Sequence, residues 1–371
     1  MKARDRFLAA LRGEPMDRVP LDLPGFVFTS RQELEAHPDP RRRSVAERVY
    51  DQTAVICDVP SQVNRFLVTP TQRITSEEEP LPGGGSRTVG RIDTPSGPLT
   101  FGRQFDPVAQ TSWQTEYPVK GRADIEAIAA VPWELPPGLA PPQAGAFPPD
   151  PEGRRIVATR VSSPFVCVAG MMTFELFLEL CAADMDLLLE LTEICRRRIL
   201  DVLAVLLDGP GIEYVWIGGS EWVTPPMAAP SVYDALVQEQ ERSLIEYVHE
   251  HSDAVVHVHC HGHVRHALQR TIERGADYTE PVEPPPDGDI TMADAKALAG
   301  GRIALGGNVE CRVLCNEGAT EAERATRAAF EGGVERFVLR PTEGPSPRMS
   351  DVEEGNYHRL VDIWEELAPI G

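Results

Sequence analysis

The 371 residues give room for one large α/β barrel with insertions, or for two smaller domains, and for a sizeable buried core. The 36 Lys and Arg stand against 57 Asp and Glu, a formal charge of −21 with no basic run to interrupt it, which excludes steering toward nucleic acid or an anionic membrane. Seven cysteines, an odd number at irregular spacing, argue for buried reduced thiols and against a disulfide framework.

The chain opens with MKARDRFLAALRGEP, which puts Phe7, Leu8 and Leu11 on one helical face but carries four charges in its first six residues. That is unlike the apolar run of a secretory leader. No stretch approaches the roughly 20 apolar residues that span a bilayer. A cytosolic protein is expected.

Eight short β-branched runs follow in order: 18–23 (RVPLDL), 54–59 (AVICDV), 155–161 (RIVATRV), 212–218 (IEYVWIG), 253–259 (DAVVHVH), 277–281 (DYTEP), 302–307 (RIALGG) and 336–341 (RFVLRP). Helical patterns over 173–207, 231–251, 263–274, 292–300 and 320–332 separate the later runs. This alternation predicts a (β/α)₈ TIM barrel of the α/β class. Between the second and third runs, residues 61–150 break the pattern. Gly/Pro turns with alternating apolar positions predict antiparallel hairpins, and the proline-dense stretch after them cannot be helical. We read this as a hairpin-rich insertion in a single domain spanning 1–371.

The fifth run carries the chemistry. In VVHVHCHGHVRH, His257, His259, His261 and His263 are two residues apart, so a strand projects them to one face and Val256, Val258 and Cys260 to the other. Gly262 marks the strand's end, which places His259 and His261 at the carboxyl end where barrel active sites are built, with His257 a layer deeper. Two imidazoles two apart on a strand can converge on one metal ion, with a third ligand from another strand end. The bland alternative for any single histidine is a satisfied core residue. His249, His251, His263 and His266 fall at helix ends and are read as structural.

Other polar residues follow strand ends. Glu280 and Glu283 come after the sixth run; Glu280 can serve as a further ligand or a general base, or can simply fix a proline turn. Asp287 and Asp289 are expected to cap the helix that starts near Thr291. Asn308 and Glu221 sit where side chains contact a substrate, while Cys311 is read as packing or a soft ligand.

The chain resembles the uroporphyrinogen decarboxylase superfamily in RFLAALRGEPMDRVPLDLPG, DTPSGPLT, SSPFVCVAGMMTFELF, HCHGHV, YTEPVEPPPDGD, GGNVEC and RFVLRPTEGPSP, in collinear order over nearly its whole length. That superfamily includes the decarboxylase and zinc-dependent corrinoid and coenzyme M methyltransferases. The decarboxylases carry a basic RQAGRY-like stretch after the first strand to hold a many-carboxylate tetrapyrrole. Only Arg31 and Gln32 stand for it here, so porphyrinogen decarboxylation is disfavoured.

The methyltransferases hold zinc with an H-x-C pair and a distal cysteine. The resemblance implies a zinc site of His259, His261 and Glu343, with His261 and Glu343 in the cysteine positions and Glu280 or Cys311 as alternative third ligands. Without thiolates such a site keeps net positive charge and is a stronger Lewis acid. The expected protein is a metal-dependent methyltransferase acting on a small molecule, with a corrinoid carried by a partner protein and homodimerisation by superfamily analogy. The alternative is a carboxy-lyase for a small carboxylate, with His257 and Glu280 as acid/base groups; a third reading is a non-catalytic barrel.

Overall fold

The computed structural model describes residues 1–61, 73–143, 145–150, 152–209 and 211–370. Eleven strands are present among them: β1 (Val55–Val59), β2 (Ile74–Pro80), β3 (Ser86–Thr94), β4 (Gly97–Asp106), β5 (Thr111–Glu116), β6 (Arg155–Ser162), β7 (Tyr214–Gly218), β8 (Val255–His259), β9 (Tyr278–Val282), β10 (Ala304–Val309) and β11 (Phe337–Pro341). Seven form a parallel sheet in the order β1-β6-β7-β8-β9-β10-β11. Side chains from both of its edges, Val55 of β1 and Arg340 of β11, line one cavity, so the sheet curls.

The first expected strand, 18–23, is reduced to one parallel bridge between Leu21 and Leu339. Leu339 N donates to Pro20 O and Asp22 N to Leu339 O, both at 3.0 Å. Pro20 and Pro24 lack the amide protons that a longer ladder needs. The segment nevertheless lays Asp22 beside β11.

The insertion contains a second, four-stranded antiparallel sheet, β2-β3-β4-β5, as the turn residues predict. Its Ile92 and Leu99 are buried in the same core as the parallel sheet and its helices. The helix Arg122–Ala129 follows it, an element the proline-rich composition of the region concealed.

The outer helices depart from expectation at two points. The helix expected over 173–207 is broken into Phe174–Ala183 and Met185–Leu206, because Asp184 leaves helical geometry and its side chain accepts from Leu187 N at 3.3 Å. The helix over 231–251 contains a π turn, Asp234–Gln238. Thr291, rather than Asp287 or Asp289, caps the helix Met292–Ala299. Asp289 instead accepts from Arg265 N at 3.0 Å, and Asp287 pairs with Arg312 at 2.9 Å.

Strand alternation divides the core in two. Val256, Val258, Leu305 and Leu339 pack outward into the layer of helices, while Ile156, Ala158, Tyr214, Val255, Tyr278, Ala304 and Val338 face inward. Phe7, Leu8 and Leu11 of the helix Ala3–Arg12 join the inward set and plug the N-terminal end of the curled sheet. Among the described residues no helix is long and apolar enough to cross a membrane.

Candidate active site

Above the apolar plug the inward-facing positions become polar. β8 presents Val255 to the plug and then His257 and His259 to the cavity, while Cys260 is buried on the helix side with Val264 and Leu268. The neighbouring β9 contributes Tyr278 and Glu280, which sit opposite His257 and His259 in register. Of these, His257, His259 and Glu280 line a cavity of about 380 Å³ together with Asp22, Arg160, Tyr214, Trp216 and Arg340.

Glu280 is the hub. One carboxylate oxygen lies 2.8 Å from His259 Nδ1 and 3.1 Å from His257 Nε2; the other faces Arg340 Nε at 3.2 Å. Arg340 donates through Nη1 to Asp22 at 3.0 Å. Both Glu280 and His257 are 2% exposed. Burial alone would raise Glu280, but Arg340 and the two imidazoles outweigh it and hold the carboxyl well below its usual range. Burial pushes His257 down to about 4 against the pull of Glu280, so this imidazole is neutral at pH 7. Asp22 is raised by burial, with Arg340 opposing.

Among the described residues Tyr278 Oη is buried without a hydrogen-bond partner, and His257 Nε2 and Glu280 Oε2 have only ion-pair contacts, to Glu280 Oε1 and Arg340 Nε, that fall outside hydrogen-bond geometry. Such groups are uncommon in a finished interior. Ligand atoms of His257, His259 and Glu280 lie within 4.8 Å of one another, the one group of that kind among the described residues. Two imidazoles and a carboxylate are a recognised catalytic zinc set with an open position. Tyr214 Oη is hydrogen-bonded to His257 Nδ1; in the tautomer that carries its proton on Nδ1, the Nε2 lone pair is left for an ion. The residues therefore fit a divalent metal.

The structure regroups the expected ligands. His259, His261 and Glu343 do not converge: His261 Nδ1 pairs with Glu283 at 3.1 Å, and Glu343 is exposed on the loop after β11. His261 remains near, its ring 4.7 Å from that of His259, and Glu283, which also accepts from Gly262 N, helps raise its pKa against the opposing effect of burial. Asn308 is buried beside Arg340 in the β10–β11 register. Glu221 starts a 3₁₀ turn after β7 and keeps one buried oxygen unpartnered. Cys311 donates to Gly344 O at 3.1 Å and lies 3.4 Å from Cys315 Sγ, so it serves the loop rather than the cluster.

Sequence reasoning missed Asp22, Arg160, Tyr214, Trp216, Tyr278 and Arg340. Their signal was available: each of the last five is a charged or aromatic residue at an inward position of a strand whose outward positions are mostly apolar.

The sequence profile of the family described as Uroporphyrinogen decarboxylase (URO-D) matches residues 152–366. Among solved structures, a methyltransferase from Methanosarcina mazei superposes with a TM-score of 0.61 at 16% identity, covering 99% of each chain. A B12-independent methionine synthase from Shewanella sp. W3-18-1, in complex with selenomethionine, reaches a TM-score of 0.35 at 11% identity, with 57% of this chain and 62% of that one covered. No curated protein sequence matches.

Proposed function

The chain belongs to the uroporphyrinogen decarboxylase family, and within it we propose a metal-dependent methyltransferase that acts on a small molecule and holds zinc with His257, His259 and Glu280. In this reading residues 18–23 complete a (β/α)₈ barrel over a single domain, 1–371, and a partner protein supplies a corrinoid methyl carrier. The observation that carries the proposal is the buried His₂Glu group, whose ligand atoms lie within 4.8 Å of one another at the wall of a cavity. The likeness to the methyltransferase fold along the whole chain is consistent with it. A cavity of about 380 Å³ suits a small substrate, near the lower end of small-molecule pockets.

When bound, zinc would supply Lewis acidity to an acceptor thiol or hydroxyl. The protein's own groups set the stage for that. Arg340, anchored by Asp22, keeps Glu280 ionised and fixed. Tyr214 orients the His257 ring. The plug of Phe7, Leu8 and Leu11 excludes water from beneath the cluster, which strengthens every charge interaction above it.

Metal analysis of protein purified without chelator is expected to give about one equivalent, falling below about a tenth in His259→Ala. Less than about a tenth in the wild type, with no change in the variant, would overturn the proposal. A second reading, a carboxy-lyase for a small acid, draws on the two arginines that reach the cavity, with His257 and Glu280 as acid/base groups. Release of carbon dioxide without methyl transfer would favour it.

A further inference from the structure

Two arginines reach the cavity, and they are engaged very differently. Arg340 is 14% exposed and committed to protein groups, through Nη1 to Asp22 at 3.0 Å and through Nε to Pro341 O and Glu280, both at 3.2 Å. Arg160, near the carboxyl end of β6, is 45% exposed. Its Nε donates to both oxygens of Asp58, at 2.9 and 2.8 Å, and its two terminal nitrogens have no hydrogen-bond partner among the described residues. The guanidinium carbon lies 5.3 Å from the centroid of the Trp216 ring. That same indole lies 5.4 Å from the ring of His259.

We propose that Arg160 anchors the substrate's anionic group, and that the substrate is a small carboxylic acid whose body rests along Trp216 with its reacting end at His257, His259 and Glu280. The inference rests on the reading of this cavity as the active site. The open edge of a guanidinium offers two parallel N–H donors, which match a planar carboxylate bidentately. Asp58 holds the other edge, so Arg160 arrives oriented and loses little side-chain entropy on binding. Trp216 supplies an apolar face beside it, the combination by which small pockets fix the orientation of a ligand.

A phosphate would ask for more. Among the described residues no helix N-terminus and no glycine-rich loop lines the cavity, and one guanidinium edge, its charge already shared with Asp58, does not match a dianion. The basic stretch that the decarboxylases use after their first strand is missing from this chain. Arg160 stands instead on β6, the third strand of the barrel reading.

The test is direct binding to the full chain, by calorimetric titration of benzoate, benzamide and benzenesulfonate, with and without prior chelation. Benzoate is expected to bind the chelated protein with a Kd on the order of 1 mM, and benzamide not to bind. Arg160→Gln should weaken benzoate at least about tenfold, the loss of one charge-assisted pair. Asp58→Asn removes a competing carboxylate and should tighten benzoate about threefold. Both sites are solvent-exposed, and thermal melts of the two variants should match the wild type. Unchanged benzoate binding in Arg160→Gln, or benzamide binding as tight as benzoate, would refute the anchor. Benzenesulfonate binding tighter than benzoate would refute the carboxylate assignment. Because the readout is taken on chelated protein, loss of the zinc proposal leaves this test standing, and its failure leaves the zinc measurement untouched.

Discussion

Arg274 and Arg340 each form a buried ion pair with a glutamate, and the contrast between the two separates a fastening from a site. Arg274 Nη2 lies 2.8 Å from Glu241, and both side chains are fully buried. Four neighbours fasten the pair: Tyr233, Gln238 and Thr271 accept from Arg274, and Ser220 donates to Glu241, although Arg274 Nε and Glu241 Oε2 are buried without a hydrogen bond among the described residues. Arg340 and Glu280 are almost as buried, yet their surroundings include a cavity and two imidazoles. Burial of charge is common to both. What distinguishes the second is the cavity and the two imidazoles beside it, which leave room for a ligand to join the pair.

The sharpest way to break this contrast is to remove each arginine. Arg274→Met leaves Glu241 charged without its partner and should lower stability by about 3–5 kcal/mol in urea melts, with no recovery on adding zinc. Arg340→Met should cost about 3 kcal/mol in chelated protein. Zinc at a hundredfold excess over its Kd should restore about 2.7 kcal/mol of that, because the ion takes over the charge of Glu280. Equal rescue of both variants, or of neither, would erase the distinction.

A smaller effect is expected at the other histidine pair. His261→Ala and Glu343→Ala should each keep at least about a third of the wild-type zinc content, against near-complete loss in His259→Ala. Zinc loss in either variant would return the ligand set to the one expected from the family resemblance.

The smallest effect concerns Glu310, raised to about 7 by burial and by the nearby charges of Glu283 and Asp287. A carboxyl raised in the folded state binds its proton more tightly there than in the unfolded chain. Its contribution to stability is therefore full below its ordinary value of 4.5 and declines as pH rises from there to about 7. Glu310→Gln should melt a few degrees higher than the wild type at pH 8, and the difference should vanish near pH 4.5.

Much of this arrangement was legible before any coordinates. β-branched runs marked all seven strands of the parallel sheet, and period-two spacing put His257 and His259 on one face with Cys260 on the other. Residues 18–23 read as a full strand because their apolar content is strand-like, whereas ladder formation depends on amides that Pro20 and Pro24 lack. The break at Asp184 was hidden because a side-chain cap competes locally with a helix whose apolar period continues through it. The partners of Glu280 were the least legible part. Asp22, Glu280 and Arg340 lie in three separate stretches far apart in the sequence, and only sheet register brings them together. Glu343 was placed by alignment to a family position, and the loop after β11 carries it outward instead.

The helix Ala3–Arg12 has one more consequence, for the order in which the molecule can be built. It is synthesised before the strands it packs against, for its Phe7, Leu8 and Leu11 meet Ala304 of β10 and Val338 of β11. Val19 N further bonds Ala368 O, and Ile370 N bonds Asp17 O. The helix must therefore wait for β10 and β11 to be made, with its apolar face exposed, and closing so long a loop makes this docking slow. The polar cluster above the plug has no floor until that step is complete, so nascent chains should depend on holding chaperones for as long as the carboxyl-terminal strands are missing.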